Sequence, residues 1–386
     1  MKLTITAKIR LLPTREQTRE IDACLHAYTA AATSIAKTEK TAPDNTKNIA
    51  LHIRHYQRIR NQYGLKSQQA CSVLKTVAAA YKSIKTNKHK HAKAPEFKHA
   101  FYDAVRGSDY TIKDDYITLN TLEKKRAKIR YREDGPHKEL LMTGELGTAK
   151  VFKRHNKYYM HIPVTIEVPD APDYVDGQTM IVGVDRGIRF LVTCYDSNGE
   201  TMFVSGKEVI EKRKQYKAKR AELQKKGTPS ARRKLKAMGS RENRWMNDVN
   251  HCLSKALVSK YPAGTIFVLE DLSNIRGALV MSRRNDRYER VSWAYADLEA
   301  KLRYKAARVG DRIILVDPAY SSQECPVCGC VDKHNRNKHS HTFECVECGY
   351  KSNDDRSAAM VLFGRGRDEV LAELEEHASS KLGSSQ

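Results

Sequence analysis

The chain has 386 residues, and its 69 Lys and Arg against 46 Asp and Glu give a formal net charge of +23. It exceeds the roughly 250–300 residues at which one hydrophobic core stops growing, so two or more domains are expected, and a composition 40% hydrophobic and 8% aromatic excludes wholesale disorder. No apolar run approaches the roughly 18–20 residues of a spanning helix, so the charge points to a polyanionic partner, nucleic acid ahead of a membrane surface.

Residues 2–12 alternate at Leu3, Ile5, Ala7, Ile9 and Leu11, the pattern of a half-buried strand. A signal peptide would need a continuous apolar block there, so a cytoplasmic protein with reduced cysteines is expected. Pro13 ends the strand, and Thr14 with Gln17 forms a capping box opening a helix. A second helix is predicted over 46–62 and a third over 66–87, whose apolar face carries Ala70, Leu74, Val77, Ala78 and Tyr81. Its other face is read as Gln68, Gln69, Ser72, Lys75 and Lys82. A basic connector follows with Lys85, Lys88, Lys90, Lys93 and Lys98. Residues 100–175 read as short strands between Gly and Pro turns, including 116–119, 127–132, 149–153 and 158–166. With the first strand they suggest a small β-barrel into which the helices are inserted.

After a linker at 168–178, residues 180–205 predict a three-strand meander, with Asn198-Gly199 at its second hairpin. From Lys207 to Arg244 there are 15 basic and 4 acidic residues, an excess of +11, broken into two helices at Gly227 and Pro229. A fourth strand is predicted at 265–269, a helix at 291–309, a fifth strand at 312–316 and a last helix near Asp355, with a flexible tail over 371–386. The fold class is α+β multidomain. A strand-rich barrel holds an inserted helical bundle, and an RNase H-like α/β domain with an inserted zinc finger follows.

Two constellations carry chemistry. Cys325 and Cys328, then 16 residues, then Cys345 and Cys348, form two C-x2-C knuckles. Each turns two thiolates toward one point, and together they predict a closed tetrahedral zinc site that is structural rather than catalytic. Cys330, His339 and His341 read as non-ligands. The second constellation is acidic. Asp185 ends the first meander strand, Glu270 ends the fourth strand, and Asp355 begins the last helix. In an RNase H-like sheet the first and fourth strands are neighbours, so the three carboxylates would converge, and converging carboxylates call for hard cations such as Mg²⁺ or Mn²⁺. Two such ions suit phosphodiester cleavage. Asp271 is expected to point away from Glu270, Asp354 to cap the last helix, and Asp317 to serve as a turn residue.

The motifs GVDRG, VLEDLSNI, RENRWMNDVNHCLSKALV, CPVC, CVEC and CGYKSNDDRSAA resemble the TnpB family, transposon-associated RNA-guided nucleases related to type V CRISPR effectors. WAYADLEAKLRYKAARVG, VDPAYSSQECPVCG, IRLLPTREQ and APEFK fit the same pattern. The resemblance implies a wedge domain over 1–13 and 94–175, a helical recognition domain over 14–93, and a RuvC nuclease domain over 176–319 and 351–370 with a zinc finger at 320–350. It implies Asp185, Glu270 and Asp355 as the catalytic acids. It further implies a guide RNA from the transposon end, one protein per RNA, and double-stranded DNA cut beside a short adjacent motif. It also narrows the expected cytoplasmic location to the prokaryotic cytoplasm or nucleoid. Ser357 stands where many members carry Asn, and either residue can support the helix start. The alternative, a non-catalytic guide-directed repressor, is disfavoured because all three acids are present.

Candidate phosphate contacts on the basic helices are Lys217, Arg220, Arg232, Arg233, Arg241 and Arg244, with Lys88 and Lys90 as RNA contacts. Gln68, Gln69, Ser72 and Lys75 are candidates for reading the adjacent motif. Arg283, Arg284 and Arg287 are expected near the active site, and Trp245 and Trp293 in the core. No membrane partner is expected.

Overall fold

The computed structural model describes residues 1–39, 47–86, 94–133, 138–272 and 295–383. The chain divides into two compact units, Lys2–Glu167 and Val168–Gln386, with Met1 joining the latter. Among the described residues no helix is long and apolar enough to cross a membrane.

The first unit is built on strand β1 (Lys2–Leu12), whose buried Ile5, Ala7, Ile9 and Leu11 realise the predicted alternation. The chain then enters α1 (Arg15–Thr38), α2 (Asn48–Tyr63) and α3 (Ser67–Thr86). The capping box of α1 forms as predicted: Gln17 N donates to Thr14 Oγ1 at 3.3 Å and Thr14 N donates to Gln17 Oε1 at 3.0 Å. Strands β2 (Phe101–Ala104), β3 (Tyr110–Ile112), β4 (Tyr116–Leu119) and β5 (Ala127–Glu133) follow, then α4 (Lys138–Thr143), β6 (Glu145–Leu146), β7 (Ala149–Arg154) and β8 (Lys157–Glu167).

The sheet runs in the order β2-β7-β8-β1-β5-β4-β3, with β6 on β8. Its two edge strands, β2 and β3, are consecutive in the chain and joined by the five residues 105–109. That short link joins the two edges of the sheet. The helices and the sheet share one hydrophobic core, in which Leu25, Tyr28 and Val73 meet Tyr102, Val151 and Met160.

One expectation for α3 is corrected. Gln69 is fully buried and Ser72 nearly so. Gln69 Nε2 reaches Cys24 Sγ at 3.5 Å and the Asn120 carbonyl at 3.4 Å, while its Oε1 accepts from Lys66 N at 2.8 Å. The helix is clasped on two sides at its start, so its buried arc is wider than an apolar pattern suggests. The outward stripe is Gln68, Lys75 and Lys82, seven residues apart.

The second unit holds β9 (Ile181–Asp185), β10 (Phe190–Asp196) and β11 (Thr201–Ser205), then the basic helices α5 (Lys207–Lys226) and α6 (Pro229–Lys260). Next come β12 (Ile266–Glu270), α7 (Tyr295–Val309), β13 (Arg312–Val316), the cysteine finger and α8 (Asp354–Gly383). The finger contains a three-stranded sheet of β14 (Arg336–Asn337), β15 (Thr342–Glu344) and β16 (Lys351–Asn353). The main sheet has the order β11-β10-β9-β12-β13, with β9 to β11 an antiparallel meander and β12 and β13 parallel to β9. The first and fourth strands are therefore neighbours, as expected.

Alternation divides the sheet into two faces. Val182, Val184, Phe267 and Leu269 pack against Leu253 and Leu257 of α6 and Leu298 and Leu302 of α7. Ile181, Ile266, Val268, Ile314 and Val316 pack against Leu362 and Val370 of α8. The break between α5 and α6 forms as read: Gly227 takes a left-handed φ of 62°, and Thr228 caps α6 ahead of Pro229. Helix α8 continues to Gly383, across most of the segment expected to be a flexible tail.

Candidate active site and metal centre

The positions that precede the acids on their strands face α8. Ile181 and Gly183 lead to Asp185, and Ile266 and Val268 lead to Glu270. In the parallel register Leu269 pairs with Val184, which sets Glu270 beside Asp185 at the strand ends. Asp185 pairs with Thr193 on β10, and Thr193 with Phe203 on β11. One row of the sheet thus reads Glu270, Asp185, Thr193, Phe203. Asp355 joins from above because α8 lies unusually close to β9. A Cβ at Gly183 would stand 2.1 Å from the Ala359 carbonyl oxygen and 2.6 Å from the Phe363 nitrogen. Asp355 is four residues before Ala359 and so lies on the same stripe of the helix. Gly366 makes a second close approach, to Val268.

Electrostatics agree with this convergence. Burial, followed by the charges of Glu270 and Asp355, pushes the Asp185 carboxyl up to about 8. Burial and the charge of Asp354 also raise Asp355, opposed by Arg336 and Arg189. Among the described residues, Asp355 Oδ2 is buried without a hydrogen-bond partner. An all-oxygen donor set with mutually opposing charges and an unpartnered carboxylate oxygen fits hard divalent cations.

Neighbouring groups fix the acids. The buried Arg186 guanidinium donates to the Glu270 carbonyl and lies 3.2 Å from Glu299 on α7. The buried Ser321 hydroxyl donates to Glu270 Oε1 at 2.5 Å. Asn353 caps α8 by accepting from the N–H groups of Asp355 and Arg356, each at 3.1 Å. That corrects the expectation for Asp354. Its side chain is fully buried and paired with Arg336 of the finger at 3.0 Å, so its main partner is a cation rather than the helix end. Ser357 donates to the Asn353 carbonyl at 3.2 Å, which supports the helix start as expected. Asp317 accepts from Ala319 N at 2.9 Å in a turn. Arg186, Ser321, Arg336 and Gly183 were missed at the sequence level. Gly183 carried a usable signal, since a glycine inside a strand marks close backbone approach.

The four finger cysteines also converge. Their Sγ atoms lie within 4.8 Å of one another, with Cys325 to Cys348 at 3.7 Å and Cys328 to Cys345 at 3.6 Å. Disulfides would need about 2.05 Å. Thiolates about 2.3 Å from one tetrahedral zinc ion would lie about 3.8 Å apart. Each knuckle turns through a left-handed glycine, Gly329 with φ 74° and Gly349 with φ 71°. The Cys348 N–H is directed at Cys345 Sγ at 3.5 Å and lowers the pKa of that thiol, while those of the neighbouring Cys328 and Cys348 are raised, as expected for thiols sharing one site. Cys330, His339 and His341 stand outside this group.

Residues 161–273 match a family model described as probable transposase, and residues 295–362 match one described as Cas12f1-like, TNB domain. A TnpB-like protein of Methanocaldococcus jannaschii is 31% identical over 40% of this chain and 55% of that one. The chain is similar to TnpB-like proteins over part of its length. The CRISPR-associated endodeoxyribonuclease Cas12f1 of Sulfoacidibacillus thermotolerans is 30% identical over 57% of this chain and 53% of its own length. InsQ of Escherichia coli strain K12 is 27% identical over 78% of this chain and 74% of its own. The chain spans about half the length of the Cas12f1 relatives it matches. A structure of a Cas12f1-sgRNA-target DNA complex shares the fold, with a TM-score of 0.59 at 15% identity over 94% of this chain and 98% of that one.

The basic residues of α6 form a stripe. Arg233, Lys236, Arg241 and Arg244 lie opposite the buried Ala231, Met238, Glu242 and Met246. Arg232 and Lys217 are exposed as well. Arg220 departs from expectation: it pairs with the buried Glu242 and ties α5 to α6, so its charge is already matched within the protein. Trp245 is half-buried beneath Lys212, whose Nζ lies 4.8 Å from its ring. Lys88, Lys90, Lys93, Arg283, Arg284, Arg287 and Trp293 lie outside the described residues.

Proposed function

We propose that the chain is a transposon-associated, RNA-guided DNA endonuclease with a RuvC-type centre that hydrolyses phosphodiesters. The observation that carries this reading is the register that sets Glu270 beside Asp185 at neighbouring strand ends, with Asp355 at the start of α8 near enough for its charge to act on Asp185 and with its Oδ2 unpartnered among the described residues. These three residues would hold two divalent ions, Mg²⁺ or Mn²⁺. Such ions, when bound, supply Lewis acidity for activating water and for stabilising negative charge on the phosphate. Arg186 and Ser321 hold Glu270 in place, and the finger holds the start of α8. The arginine stripe on α6 suits the phosphates of a guide–target heteroduplex, held by backbone charge rather than sequence. Gln68 and Lys75, on the outer stripe of α3, suit contacts to a short motif beside a double-stranded target. The names of the relatives support a guide RNA, which we assign to the transposon end with one protein per RNA. Cys325, Cys328, Cys345 and Cys348 would hold a structural zinc ion.

Protein purified with its co-purifying RNA is the material for the test. Sequencing that RNA defines a matching DNA target, and cleavage is followed with Mg²⁺ present. Asp185→Ala is expected to abolish cutting while RNA binding persists. Cutting by this variant would overturn the site assignment, and absence of bound RNA would overturn guidance.

A further inference from the structure

The row of the sheet that carries Glu270 and Asp185 does not end at them. It continues through Thr193 to Phe203 on the edge strand β11. Strands lie about 4.8 Å apart, so Phe203 stands about 10 Å from Asp185 along the row. Phe203 is 41% exposed, an unusual setting for a phenylalanine inside a strand. It is not isolated. The register between β10 and β11 shifts between Phe190 and Val192, a bulge of the kind that re-aims a side chain beside an active site. The Phe190 ring meets that of Phe203 at 4.8 Å between centroids and 49° between planes. Arg189, exposed, lies with its Cζ 5.1 Å from the centre of the Phe190 ring. Between this pair and Asp185 the Thr193 hydroxyl is buried without a hydrogen-bond partner.

Elsewhere on this face the strands are covered. Tyr195 is packed by Phe363 and overlain by Arg356, and Val268 lies under Gly366. The aromatic pair is left open where the row reaches the sheet edge. An exposed phenylalanine ring, Phe203, backed by a half-buried ring that an arginine overlies, suits one ligand chemistry in a chain of net charge +23. The base stacks on the ring while the guanidinium takes the phosphate. The base must be unpaired, because a base within a duplex already has both faces stacked.

We propose that Phe203, backed by Phe190 and with Arg189 over the latter's ring, forms a stacking platform for an unpaired nucleobase of the strand whose phosphate is brought to the acid row. The inference rests on the nuclease reading for the role of the neighbouring acids. The platform itself is a binding site and is testable without cleavage.

The test uses the full chain without divalent ions and a short single-stranded DNA carrying aminopurine, whose fluorescence is quenched when the base stacks. The parent is expected to quench. Phe203→Leu keeps an apolar side chain on the strand but removes the aromatic face. Losing one stacked base weakens binding roughly 5- to 100-fold, so this variant should lose the quench and the corresponding affinity. Phe203→Trp should keep both. Asp185→Ala should also quench like the parent, so failure of the nuclease reading leaves this result intact. Melting temperature verifies that each variant is folded. Equal quenching by Phe203→Leu and the parent, or no quenching by the parent, would overturn the platform even where cleavage is normal.

Discussion

Replacing Gly183 with alanine tests whether the close approach of α8 to β9 sets the geometry of the acids. The added Cβ would stand 2.1 Å from the Ala359 carbonyl oxygen, whereas ordinary contact begins near 3.4 Å. The helix must therefore retreat by about 1.3 Å, the difference 3.4 − 2.1. The two nearest atoms, the Ala359 oxygen and the Phe363 nitrogen, belong to the helix backbone, so no rotamer change relieves the clash. Asp355, one turn before Ala359, moves with the helix, while Asp185 stays with the strand. A misplacement of about 1 Å can cost on the order of 100-fold in rate. Overpacking of this kind costs about 1–3 kcal/mol, or roughly 2–12 °C in melting temperature for a domain of about 200 residues. Initial cleavage rates of RNA-loaded protein, measured with its melting curve, check both. The expected outcome is a folded, RNA-binding variant slowed about 100-fold. Cleavage within twofold of the parent at an unchanged melting temperature would refute the reasoning. Gly366→Ala provides the contrast, because there the nearest atoms are the side chain of Val268, at 2.1 Å and 2.7 Å. Val268→Ala should relieve Gly366→Ala in large part, since only the Val268 Cβ at 2.9 Å would remain close, and leave Gly183→Ala unrelieved.

Ser321→Ala removes the hydroxyl on Glu270 and should slow cleavage about 10- to 100-fold, as loss of a second-sphere partner of a metal ligand does. Ser321→Thr should restore it, and an unaffected Ser321→Ala would remove this residue from the site. Asp311 carries a stability prediction with a definite sign. Burial pushes its carboxyl up to about 6, against about 3.9 unfolded. A raised carboxyl contributes stability that is present below about pH 4 and lost as pH rises through about 6. Asp311→Asn keeps an acceptor for the N–H groups of Gly264 and Thr265. Its melting temperature should gain on the parent's between pH 4 and 7, and a gap that stays constant with pH would contradict the assignment.

Much of the fold was legible because its signals are local. Alternation in residues 2–12, the Thr14 box, the Gly227–Pro229 break and the two knuckles each depend on a few adjacent residues, and each formed as read. The neighbouring positions of Asp185 and Glu270 at the ends of β9 and β12 were legible by another route. Each acid ends or begins an element, and the strand order brings those ends together. What stayed hidden depends on contacts between distant segments. Gln69 and Ser72 read as surface because polarity stood in for exposure, but the start of α3 is enclosed on two sides and satisfies Gln69 internally. Arg220 read as a phosphate contact for the same reason, since its partner Glu242 is 22 residues away on another helix. Ser321 and Arg336 could be placed at the site only once the loop after β13 and the finger had been folded against the acids.

The finger is better understood as the frame of the third acid than as an appended module. The chain passes from its last strand, β16, directly into α8, and the residue at the junction, Asn353, caps the helix. Arg336, at the start of β14, pairs with Asp354 at 3.0 Å and lies 3.9 Å from Asp355. His341 adds a third approach, 3.6 Å from Asp354. If the four cysteines hold zinc as proposed, folding of this loop-rich element would depend on that ion, because little apolar surface is available to hold it otherwise. Loss of zinc should therefore disorder the start of α8 and with it the placement of Asp355, although no zinc ligand touches the reacting atoms. Metal analysis is expected to find about one zinc per chain. Protein stripped with a zinc-selective chelator and then supplied with excess Mg²⁺ should remain inactive until Zn²⁺ is returned. Cys345→Ser should behave like the stripped protein. Full recovery with Mg²⁺ alone would mean that the acids keep their places without the finger, and the framing role would fall.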